Sequence, residues 1–432
     1  MTSTDSAAMS LSGHRFSLDH GHLLETLATS RRLLIIQDLD GVCMDLVRDP
    51  LTRTIDRSYV EAARRLAGHF YVLTNGEHIG SRGLNRIVEQ AFETPEHVSE
   101  QGFYLPGLAG GGVQLQDRHG AVSHPGVSDA ELAYLQGVPD VARRFLRELL
   151  AAPPFDFPED RVDALVESVV LDNLVSPTLN LNTLYHALRD RPARYRELQQ
   201  MAAALMDRLM RGAASAGLGD SFFVHYAPNL GRDAAGLERI RFSDGRDAGT
   251  TDFQFMLKGA IKEVGVLVIL NHYYHAHTGR YPLGEHFNAR AAPRDAAALL
   301  ALARAHFDPA QMPRIVGVGD TVTAHAETGA DGLRMLRGGS DRGFLTLVQD
   351  LGIAFGSDNA VLFIDSSAGE VARPGLDATH LQACADDPAL APWPGVRQIS
   401  DPDDPLRLNF VFPGGHRQYV RFFETLAARY PA

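Results

Sequence analysis

The stretch that decides the fold is LLIIQDLDGV, residues 33–42. Its four leading apolar residues predict a buried strand of a parallel sheet, because such strands are covered on both faces and have continuous apolar runs. Alternation along the strand directs Asp38 and Asp40 to the same side. Open α/β sheets bind ligands at the carboxyl ends of their strands, where both carboxylates lie. The alternative is a strand that ends in a solvated acidic turn, since Asp-Gly is common in turns.

Two neighbouring carboxylates at such a site favour binding of a divalent cation. They repel each other, and Mg²⁺, which is commonly held by one or two carboxylates together with a substrate phosphate, offsets that repulsion. A carboxylate next to a phosphate can also act as a nucleophile. The stretch therefore predicts phosphoryl transfer through an aspartyl phosphate.

Three further apolar runs predict more strands of the same sheet. FYVLTNG (70–76) has Thr74 at its polar end, IVGVGD (315–320) ends at Asp320, and the last run covers 360–365. A helical stretch between the first two strands completes a βαβ unit, which is typical of parallel sheets. The predicted fold class is therefore α/β with a parallel sheet.

Length and composition restrict the class of protein. A chain of 432 residues is expected to form two or three domains. The formal net charge of −12 argues against nucleic-acid binding. The two cysteines provide no disulfide framework, no apolar run reaches the length of a membrane span, and the N-terminus has no signal-peptide pattern. We therefore expect a cytoplasmic protein with no nucleic-acid or membrane partner.

The residue pattern divides the chain into a core and an insert. Residues 1–13 are rich in Ser and Thr and are expected to be flexible. Residues 14–116 and 251–432 contain the apolar runs of the predicted sheet and form the core. Residues 117–250 alternate long helical patterns with short β-like segments, which indicates a separate inserted α/β domain.

The order of the polar residues resembles the haloacid dehalogenase superfamily of phosphatases, whose motifs are Asp-x-Asp, a strand ending in Thr or Ser, a Lys and a Gly-Asp pattern. The chain is more closely similar to the glucosylglycerol-3-phosphate phosphatases, which serve compatible-solute synthesis in salt-stressed cells. This similarity extends from about residue 14 to residue 425. It is carried by QDLDGVCMDLVRDPLT (37–52), VLTNGEH (72–78), YLPGLA (104–109), FFVHYAPNLGRD (222–233), GDTVT (319–323) and FPGGH (412–416).

The resemblance implies a haloacid dehalogenase-like Rossmannoid core with an inserted C2-type cap domain, together with a set of catalytic roles. Asp38 is expected to attack phosphorus, and Asp40 to protonate the leaving sugar oxygen and then to deprotonate water. Mg²⁺ is expected on Asp38, on the main-chain carbonyl of Asp40 and on Asp320. Thr74 is expected to bind the phosphoryl oxygens, with a simple strand-end cap as the alternative.

Two assignments in this set are open. The motif lysine is either Lys258 or Lys262, and Lys262 is favoured because its helical pattern directs it towards the sheet edge. Many relatives have a second acid where this chain has Ala324. An insertion is expected to split the fourth motif. GGSDRGF (338–344) resembles the Thr-Asp-Glu-x-x-Phe half of this motif in trehalose phosphatases, which implies that Asp341 supplies the second acid of the metal site. The alternative is that Asp341 only caps the helix that follows.

Candidate substrate-binding residues follow Thr74 and also occur in the insert. A cap of this kind closes over the site, excludes water and recognises the leaving group. For each candidate a purely structural role is the alternative. The candidates are Asn75, Gly76, Glu77 and His78 in the core, and His225, Asn229, Arg232 and Asp233 in the insert.

The resemblance implies a Mg²⁺-dependent phosphatase that acts on glucosylglycerol 3-phosphate in osmolyte synthesis, in functional pairing with the glucosylglycerol-phosphate synthase. A sucrose- or trehalose-phosphate phosphatase on the same core is the first alternative, and a phosphomutase is another. A non-catalytic sugar-phosphate sensor or synthase partner is less expected, because Asp38, Asp40, Thr74 and Asp320 are all present.

Overall fold

The computed structural model describes residues 10–92, 94–233, 237–245, 247–329 and 332–431. The strands are β1 (Leu33–Gln37), β2 (Phe70–Leu73), β3 (Gly107–Ala109), β4 (Gln114–Gln116), β5 (Val122–Ser123), β6 (Val170–Leu171), β7 (Thr178–Asn180), β8 (Phe222–Ala227), β9 (Asn229–Arg232), β10 (Glu238–Ile240), β11 (Asp252–Leu257), β12 (Arg314–Gly319), β13 (Thr323–Gly329), β14 (Gly332–Gly338), β15 (Ala360–Ile364) and β16 (Phe410–Phe412).

The helices are α1 (His20–Ala28), α2 (Arg57–Arg65), α3 (Leu84–Gln90), α4 (Pro95–Gln101), α5 (Asp129–Ala151), α6 (Glu159–Val169), α7 (Asn182–Ala187), α8 (Pro192–Ser215), α9 (Lys262–Thr278), α10 (Ala296–His306), α11 (Arg342–Phe355), α12 (Ala378–Asp386) and α13 (Gly415–Arg429). Short 3₁₀ helices cover Leu11–Gly13, Pro50–Thr52, Gly110–Gly112, Pro309–Gln311 and Trp393–Val396. Within the described residues, no helix combines the length and apolarity that a bilayer crossing requires.

Eight strands form the central sheet in the order β16-β15-β12-β1-β2-β3-β4-β5. The strands from β16 to β3 are parallel, and β4 and β5 extend the sheet in antiparallel pairing at one edge. From the central strand β1 the chain builds outward first to β2 and β3 and later, on the other side, to β12. The change of side at β1 is a topological switch point, and open α/β sheets bind ligands at such points. The predicted α/β class is confirmed.

Helices cover both faces of the central sheet. Leu34 and Ile36 of β1 belong to the apolar cluster that includes α9 and α11, whereas Leu33 and Ile35 belong to the cluster that includes α2 and α13. All four side chains are at most 2% exposed. The continuous apolar run of β1 is therefore explained by burial on both of its faces.

The insert contains its own antiparallel sheet in the order β6-β7-β11-β8, which α5, α6 and α8 contact. The predicted boundaries differ from this sheet assignment at both ends. β5 belongs to the central sheet, although the sequence pattern places it in the insert. β11 pairs with β7 and β8 in the insert sheet, although the pattern places it in the core. The polar loop near residue 250 therefore precedes the last strand of the insert instead of ending the insert.

The predicted flexible N-terminus is ordered at its end. Residues 1–9 lie outside the described residues, but Leu11 begins a 3₁₀ helix and its side chain is fully buried. The backbone N–H groups of Leu11 and Ser12 donate hydrogen bonds to the Asp358 carboxylate at 3.2 and 3.0 Å. This contact ties the chain start to the core, so the predicted boundary at residue 13 is too late.

A β-hairpin interrupts the fourth motif. β13 begins three residues after Asp320, and β14 ends three residues before Asp341. Thr323 pairs with Gly338 at the base of the hairpin, which brings the two ends of the insertion together. The predicted insertion in this motif is therefore the β13–β14 hairpin, and its strand β14 packs against β9 of the insert.

The buried face of α11 is expected to make a large contribution to the stability of the core. Leu351 is fully buried, whereas Ile353 on the same helix is 74% exposed. We expect Leu351→Ala to lower the free energy of unfolding by about 2–5 kcal/mol and Ile353→Ala by less than about 0.5 kcal/mol. Urea unfolding followed by circular dichroism measures both values, and equal losses in the two variants would contradict this assignment of the helix faces.

Candidate active site

Three polar side chains meet at the carboxyl edge of the central sheet. Asp38 follows β1, Thr74 follows β2 and Asp320 follows β12, and these three strands are neighbours. All three side chains are buried. The N–H of Asp38 donates to the carbonyl of Val318 at 2.9 Å, which continues the pairing of β1 with β12 up to the site. The structure thus brings together the strand ends that the sequence singled out.

Lys262 is the lysine of the site. It is the first residue of α9 and only 3% exposed, and its Nζ lies 2.7 Å from Oδ2 of Asp38 and 2.7 Å from Oδ1 of Asp341. Burial alone lowers the pKa of Lys262, but the two carboxylates more than compensate and raise it above its usual value. The ammonium therefore stays charged. Lys258 instead points outward and pairs with the exposed Asp220 at 2.9 Å.

Asp341 organises the backbone around the site. It is fully buried, and its Oδ2 accepts hydrogen bonds from the N–H groups of Asp320 and Thr321, each at 3.0 Å. Its Oδ1 accepts from Lys262. The alternative that Asp341 only caps α11 is wrong, because its side chain accepts no hydrogen bond from that helix.

The donor set fits a hard divalent cation. Carboxylate oxygens of Asp38, Asp320 and Asp341 lie within 4.8 Å of one another, and all three residues are buried. Within the described part of the chain, Oδ2 of Asp320 is buried without a hydrogen-bond partner. Since both oxygens of Asp341 are already bonded, Asp38 and Asp320 are the direct ligands that this geometry favours, and Asp341 orients the Asp320 backbone and Lys262. Oxygen ligands of this kind suit Mg²⁺ or a similar ion.

The pKa shifts of the clustered carboxylates also favour a bound cation. Burial raises the pKa of Asp38 well above its usual range; Lys262 lowers it, and the charges of Asp341 and Asp320 raise it further. Burial and then the charge of Asp341 raise the pKa of Asp320 to about 6. A cation bound between these carboxylates stabilises their ionised forms, which is the state that a nucleophilic Asp38 requires.

Asp40 lies beside this cluster and is held by Arg53, a residue that the sequence analysis missed. The side chain of Asp40 is 33% exposed, and Nη1 of Arg53 donates to its Oδ2 at 3.0 Å. The other guanidinium nitrogens of Arg53 donate to the carbonyls of Pro50 and Arg82.

Gly41, the residue after Asp40, lies close to Asp320. It has a φ of +77°, and a Cβ there would collide with Oδ2 of Asp320. The Asp-Gly step is therefore needed for close approach of β1 and β12.

The loop after β2 is held against the cleft by hydrogen bonds of Thr74. The Thr74 hydroxyl accepts a hydrogen bond from the N–H of Gly76 at 3.1 Å, and the Thr74 carbonyl accepts from the N–H of Gly111 at 3.0 Å. Asn75 and Gly76 line the same cleft as Asp38. The predicted placement of Thr74, Asn75 and Gly76 beside the carboxylates therefore agrees with the geometry.

The next two residues of this loop have structural contacts. The carboxylate of Glu77 accepts hydrogen bonds from the N–H groups of residues 174, 175 and 176 at 2.6–2.9 Å, so it ties the core to the insert. His78 is fully buried, with its ring 3.2 Å from the carbonyl of Gly107. The prediction that His78 faces the substrate is wrong, because its side chain is fully buried and does not line the cleft of Asp38.

The candidates in the insert do not line the cleft of Asp38. His225 and Asn229 both bond to Glu238, at 2.9 and 3.2 Å, and they line a neighbouring pocket that borders Lys262. Asp233 is exposed, and its carboxylate accepts a hydrogen bond from the N–H of Leu237. The side chain of Arg232 lies outside what the structure describes. These polar residues therefore shape the β8–β10 region, and none of the described ones lines the cleft of Asp38.

Other residues of the insert line the cleft, and the sequence analysis missed them. They come from the β6–β7 connection, β7, α7, β11 and the residue before β11, and they carry amide, hydroxyl or carboxylate groups. They are Asn173, Thr178, Asn180, Asn182, Thr251, Asp252 and Gln254. The core adds the guanidinium groups of Arg53, Arg82 and Arg373 to the same cleft. The alternation of polar and apolar residues in DFQF (252–255) is the signal that could have identified the β11 positions.

A buried aspartate at the switch point of a parallel sheet, with threonine, lysine and a second acid around it, defines a phosphatase of the haloacid dehalogenase type. The comparisons with known proteins specify the family. Residues 32–427 match the family model described as Glucosylglycerol-phosphate phosphatase (Salt_tol_Pase), and the chain belongs to this family. It is 52% identical over 421 residues, 98% of each chain, to the "Glucosylglycerol-phosphate phosphatase" of Synechocystis sp. (strain ATCC 27184 / PCC 6803 / Kazusa).

Solved structures with similarity to this chain include two fungal proteins. One is Aspergillus fumigatus trehalose-6-phosphate phosphatase, with a TM-score of 0.40 and 10% identity over 96% of this chain and 99% of that one. The other is the C-terminal domain of C. albicans trehalose-6-phosphate phosphatase, with a TM-score of 0.44 and 11% identity over 96% of this chain and 98% of that one.

The two candidate lysines provide a matched pair of variants. We expect Lys262→Met to lower the rate of phosphate release by at least about 100-fold, because it removes the cation that pairs with Asp38 and Asp341. We expect Lys258→Met to stay within about 2-fold of the unaltered protein, since its ammonium only pairs with an exposed carboxylate. Steady-state phosphate release, with circular dichroism to verify folding, measures both. Similar losses in the two variants would contradict the assignment of Lys262.

The buried His78 predicts an acid-sensitive stability. Burial lowers the pKa of His78 from 6.5 to about 4. Between these two values the unfolded chain binds a proton that the folded protein does not, so stability falls as the pH falls from about 6.5 towards 4. From pH 7 to pH 5 the folded protein is expected to lose about 2 kcal/mol more than His78→Gln. Urea unfolding at both pH values measures this difference, and parallel losses would refute it.

Proposed function

We propose that this protein hydrolyses glucosylglycerol 3-phosphate to glucosylglycerol and inorganic phosphate, with Mg²⁺ as its cofactor. The chemistry is supported by the position of Asp38, which lies between Thr74 and Asp320 at the switch point and contacts Lys262. The choice of substrate is supported by the 52% identity over 98% of both chains to the Synechocystis protein of that description.

In the first step, a carboxylate oxygen of Asp38 attacks phosphorus in line with the ester oxygen. The new P–O bond to Asp38 forms while the P–O bond to the glycerol unit breaks, and Asp40 gives its proton to the departing oxygen. The Thr74 hydroxyl and the Lys262 ammonium stabilise the negative charge on the phosphoryl oxygens. The products of this step are glucosylglycerol and an aspartyl phosphate.

In the second step, water attacks the phosphorus of the aspartyl phosphate. Asp40, which is ionised after the first step, accepts a proton from this water. The bond between phosphorus and Asp38 breaks, so that phosphate leaves and Asp38 is again a carboxylate. Arg53 holds Asp40 in place through both steps, because its three guanidinium nitrogens are all engaged in hydrogen bonds.

The metal site of this proposal consists of the carboxylates of Asp38 and Asp320, with the main-chain carbonyl of Asp40 as a further ligand. Asp341 serves as the second acid by orienting the Asp320 backbone and Lys262. Bound Mg²⁺ supplies neutralisation of the charge that builds up on the phosphoryl group and on the clustered carboxylates. The orphaned oxygen of Asp320 supports this assignment.

The insert is proposed to act as the cap of this enzyme. With the sheet assignments of the structure, it runs from the end of β5 to the end of β11. The insert places polar side chains opposite the catalytic carboxylates, across the cleft. Closure of this domain would exclude water during the first step and recognise the leaving group.

The cellular role that we propose is osmolyte synthesis in the cytoplasm, downstream of the glucosylglycerol-phosphate synthase. The synthase product would be the substrate of this protein, so a functional pairing of the two enzymes follows from their chemistry. The two cysteines, one of them buried and both free, suit a reducing compartment.

A substrate panel tests the proposed function. It contains glucosylglycerol 3-phosphate, sucrose 6-phosphate, trehalose 6-phosphate and glycerol 3-phosphate, each with Mg²⁺ and with a chelator. We expect the highest kcat/KM for glucosylglycerol 3-phosphate and loss of activity on chelation. Asp38→Asn is expected to lower the rate by at least about 10³-fold, because it removes the nucleophile. Asp163→Asn, at a side chain that is 69% exposed, is the matched control and should keep full activity.

Each part of the proposal has its own contrary outcome. A higher kcat/KM for sucrose 6-phosphate or trehalose 6-phosphate would replace the proposed substrate but keep the chemistry. Phosphate retained on an isomerised sugar would indicate a phosphomutase. Substantial turnover by Asp38→Asn would exclude the aspartyl phosphate, and tight binding without turnover would indicate a sensor.

A further inference from the structure

One face of the insert sheet lies opposite the catalytic carboxylates. In β11, Phe253 and Phe255 are fully buried, so that Asp252 and Gln254 point to the other side of the sheet. The register pairs Asp252 with Asn180 and Gln254 with Thr178 of β7. These four residues, here called the cap-sheet face, line the same cleft as the catalytic groups.

The cap-sheet face has unused hydrogen-bond acceptors. Within the described residues, Oε1 of Gln254 is buried and has no hydrogen-bond partner. Each oxygen of Asp252 accepts one hydrogen bond, from Asn180 at 2.9 Å and from Thr251 at 2.7 Å, and keeps a further lone pair. Buried polar atoms are almost always paired in folded proteins. The unpaired oxygen of Gln254 therefore points to a ligand that donates hydrogen bonds.

The charge of the cap-sheet face identifies the chemical class of that ligand. Its four side chains offer two amides, one hydroxyl and one carboxylate, and they contain no cationic group. The cationic side chains that line the cleft, Arg53, Arg82 and Arg373, belong to the core. Arg53 pairs with Asp40, and the charge of Arg373 acts on both Asp320 and Asp252. The cap-sheet face itself is therefore suited to neutral hydroxyl groups.

We propose that the cap-sheet face binds the hydroxyl groups of the hexosyl unit in the leaving group, and that Asp252 and Gln254 set the specificity for that unit. The inference rests on the proposed function, because it needs a substrate that carries a hexosyl group. Hydroxyl donors of the sugar satisfy Oε1 of Gln254 and the free lone pairs of Asp252. An ester without the sugar leaves these acceptors unpaired, and sites built in this way discriminate strongly against such analogues.

The test compares two esters in three variants of the full chain. Gln254→Leu removes the unpaired acceptor at nearly constant size, and Asp252→Asn removes one charge and one acceptor. Gln382→Leu, at an exposed position of α12, is the matched control. The quantity measured is the ratio of kcat/KM for glucosylglycerol 3-phosphate to kcat/KM for glycerol 3-phosphate. Circular dichroism and thermal unfolding verify that each variant is folded.

We expect this ratio to fall by about 10- to 100-fold in Gln254→Leu and in Asp252→Asn and to stay unchanged in Gln382→Leu. The loss should arise mainly from KM for the larger ester. Equal losses on both esters, or an unchanged ratio, would overturn the inference, since the side chains would then act on folding or on the phosphate end alone. A native protein with no preference for any hexosyl ester would overturn it as well.

A wrong substrate assignment can be distinguished from a wrong assignment of the cap-sheet face. If the native protein prefers sucrose 6-phosphate or trehalose 6-phosphate, glucosylglycerol 3-phosphate is the wrong substrate. The same ratio is then measured with the preferred ester. A selective loss of that ester in Gln254→Leu and Asp252→Asn would support recognition of hexosyl hydroxyls by the cap-sheet face, and a uniform loss would overturn it.

Discussion

The buried ion cluster around Lys262 is the interaction on which the rest of the site depends. Its ammonium joins Asp38 at the end of β1 to Asp341 before α11, so it links three separate elements of the core. Removal of these charges from water costs several kcal/mol for each ion, and the cluster persists only because the groups pair with one another and with backbone N–H groups. The pairing is incomplete at Asp320, whose Oδ2 has no hydrogen-bond partner among the described residues. A divalent cation would complete the balance, so the electrostatics of the cluster favour metal binding at this position.

The strands of the core and the residues at their ends could be predicted from the sequence, because the patterns that indicate them are local in the chain. An apolar run followed by a polar residue marks the end of a parallel strand, and the topology of such a sheet brings those ends to one edge. Asp38, Thr74 and Asp320 could be found in this way without any knowledge of distant contacts. Lys262 was also within reach, since the first residue of a helix that packs on the sheet lies at the same edge. Arg53 was not, because it reaches Asp40 from an irregular loop whose path no periodic pattern describes.

The insert resisted prediction for a physical reason. A dense group of polar residues can bind a ligand or satisfy its own members, and the sequence does not distinguish the two. His225 and Asn229 illustrate this, because Nδ1 of His225 and the amide nitrogen of Asn229 both bond to Glu238 within the same region of the insert. The alternation of polar and apolar residues in β11 indicates a strand with one polar face. The predicted domain boundary at residue 250, however, assigns β11 to the core instead of the insert. The polar face of β11 can be assigned to the cleft only when its pairing with β7 is known, because Asp252 and Gln254 then lie beside Asn180 and Thr178 in the cleft of Asp38.

The fourth motif shows how a fold can keep a geometry while the spacing in sequence changes. Asp320 and Asp341 are 21 positions apart, yet the carboxylate of one accepts from the N–H of the other at 3.0 Å. Antiparallel pairing of β13 with β14 makes this possible, because the two ends of a hairpin are adjacent whatever its length. Gly339 closes the base with a φ of +106°, where a side chain would collide with the backbone of Thr321. The hairpin is therefore free to reach the insert, where β14 packs against β9, so the segment between Asp320 and Asp341 forms a contact between the core and the insert.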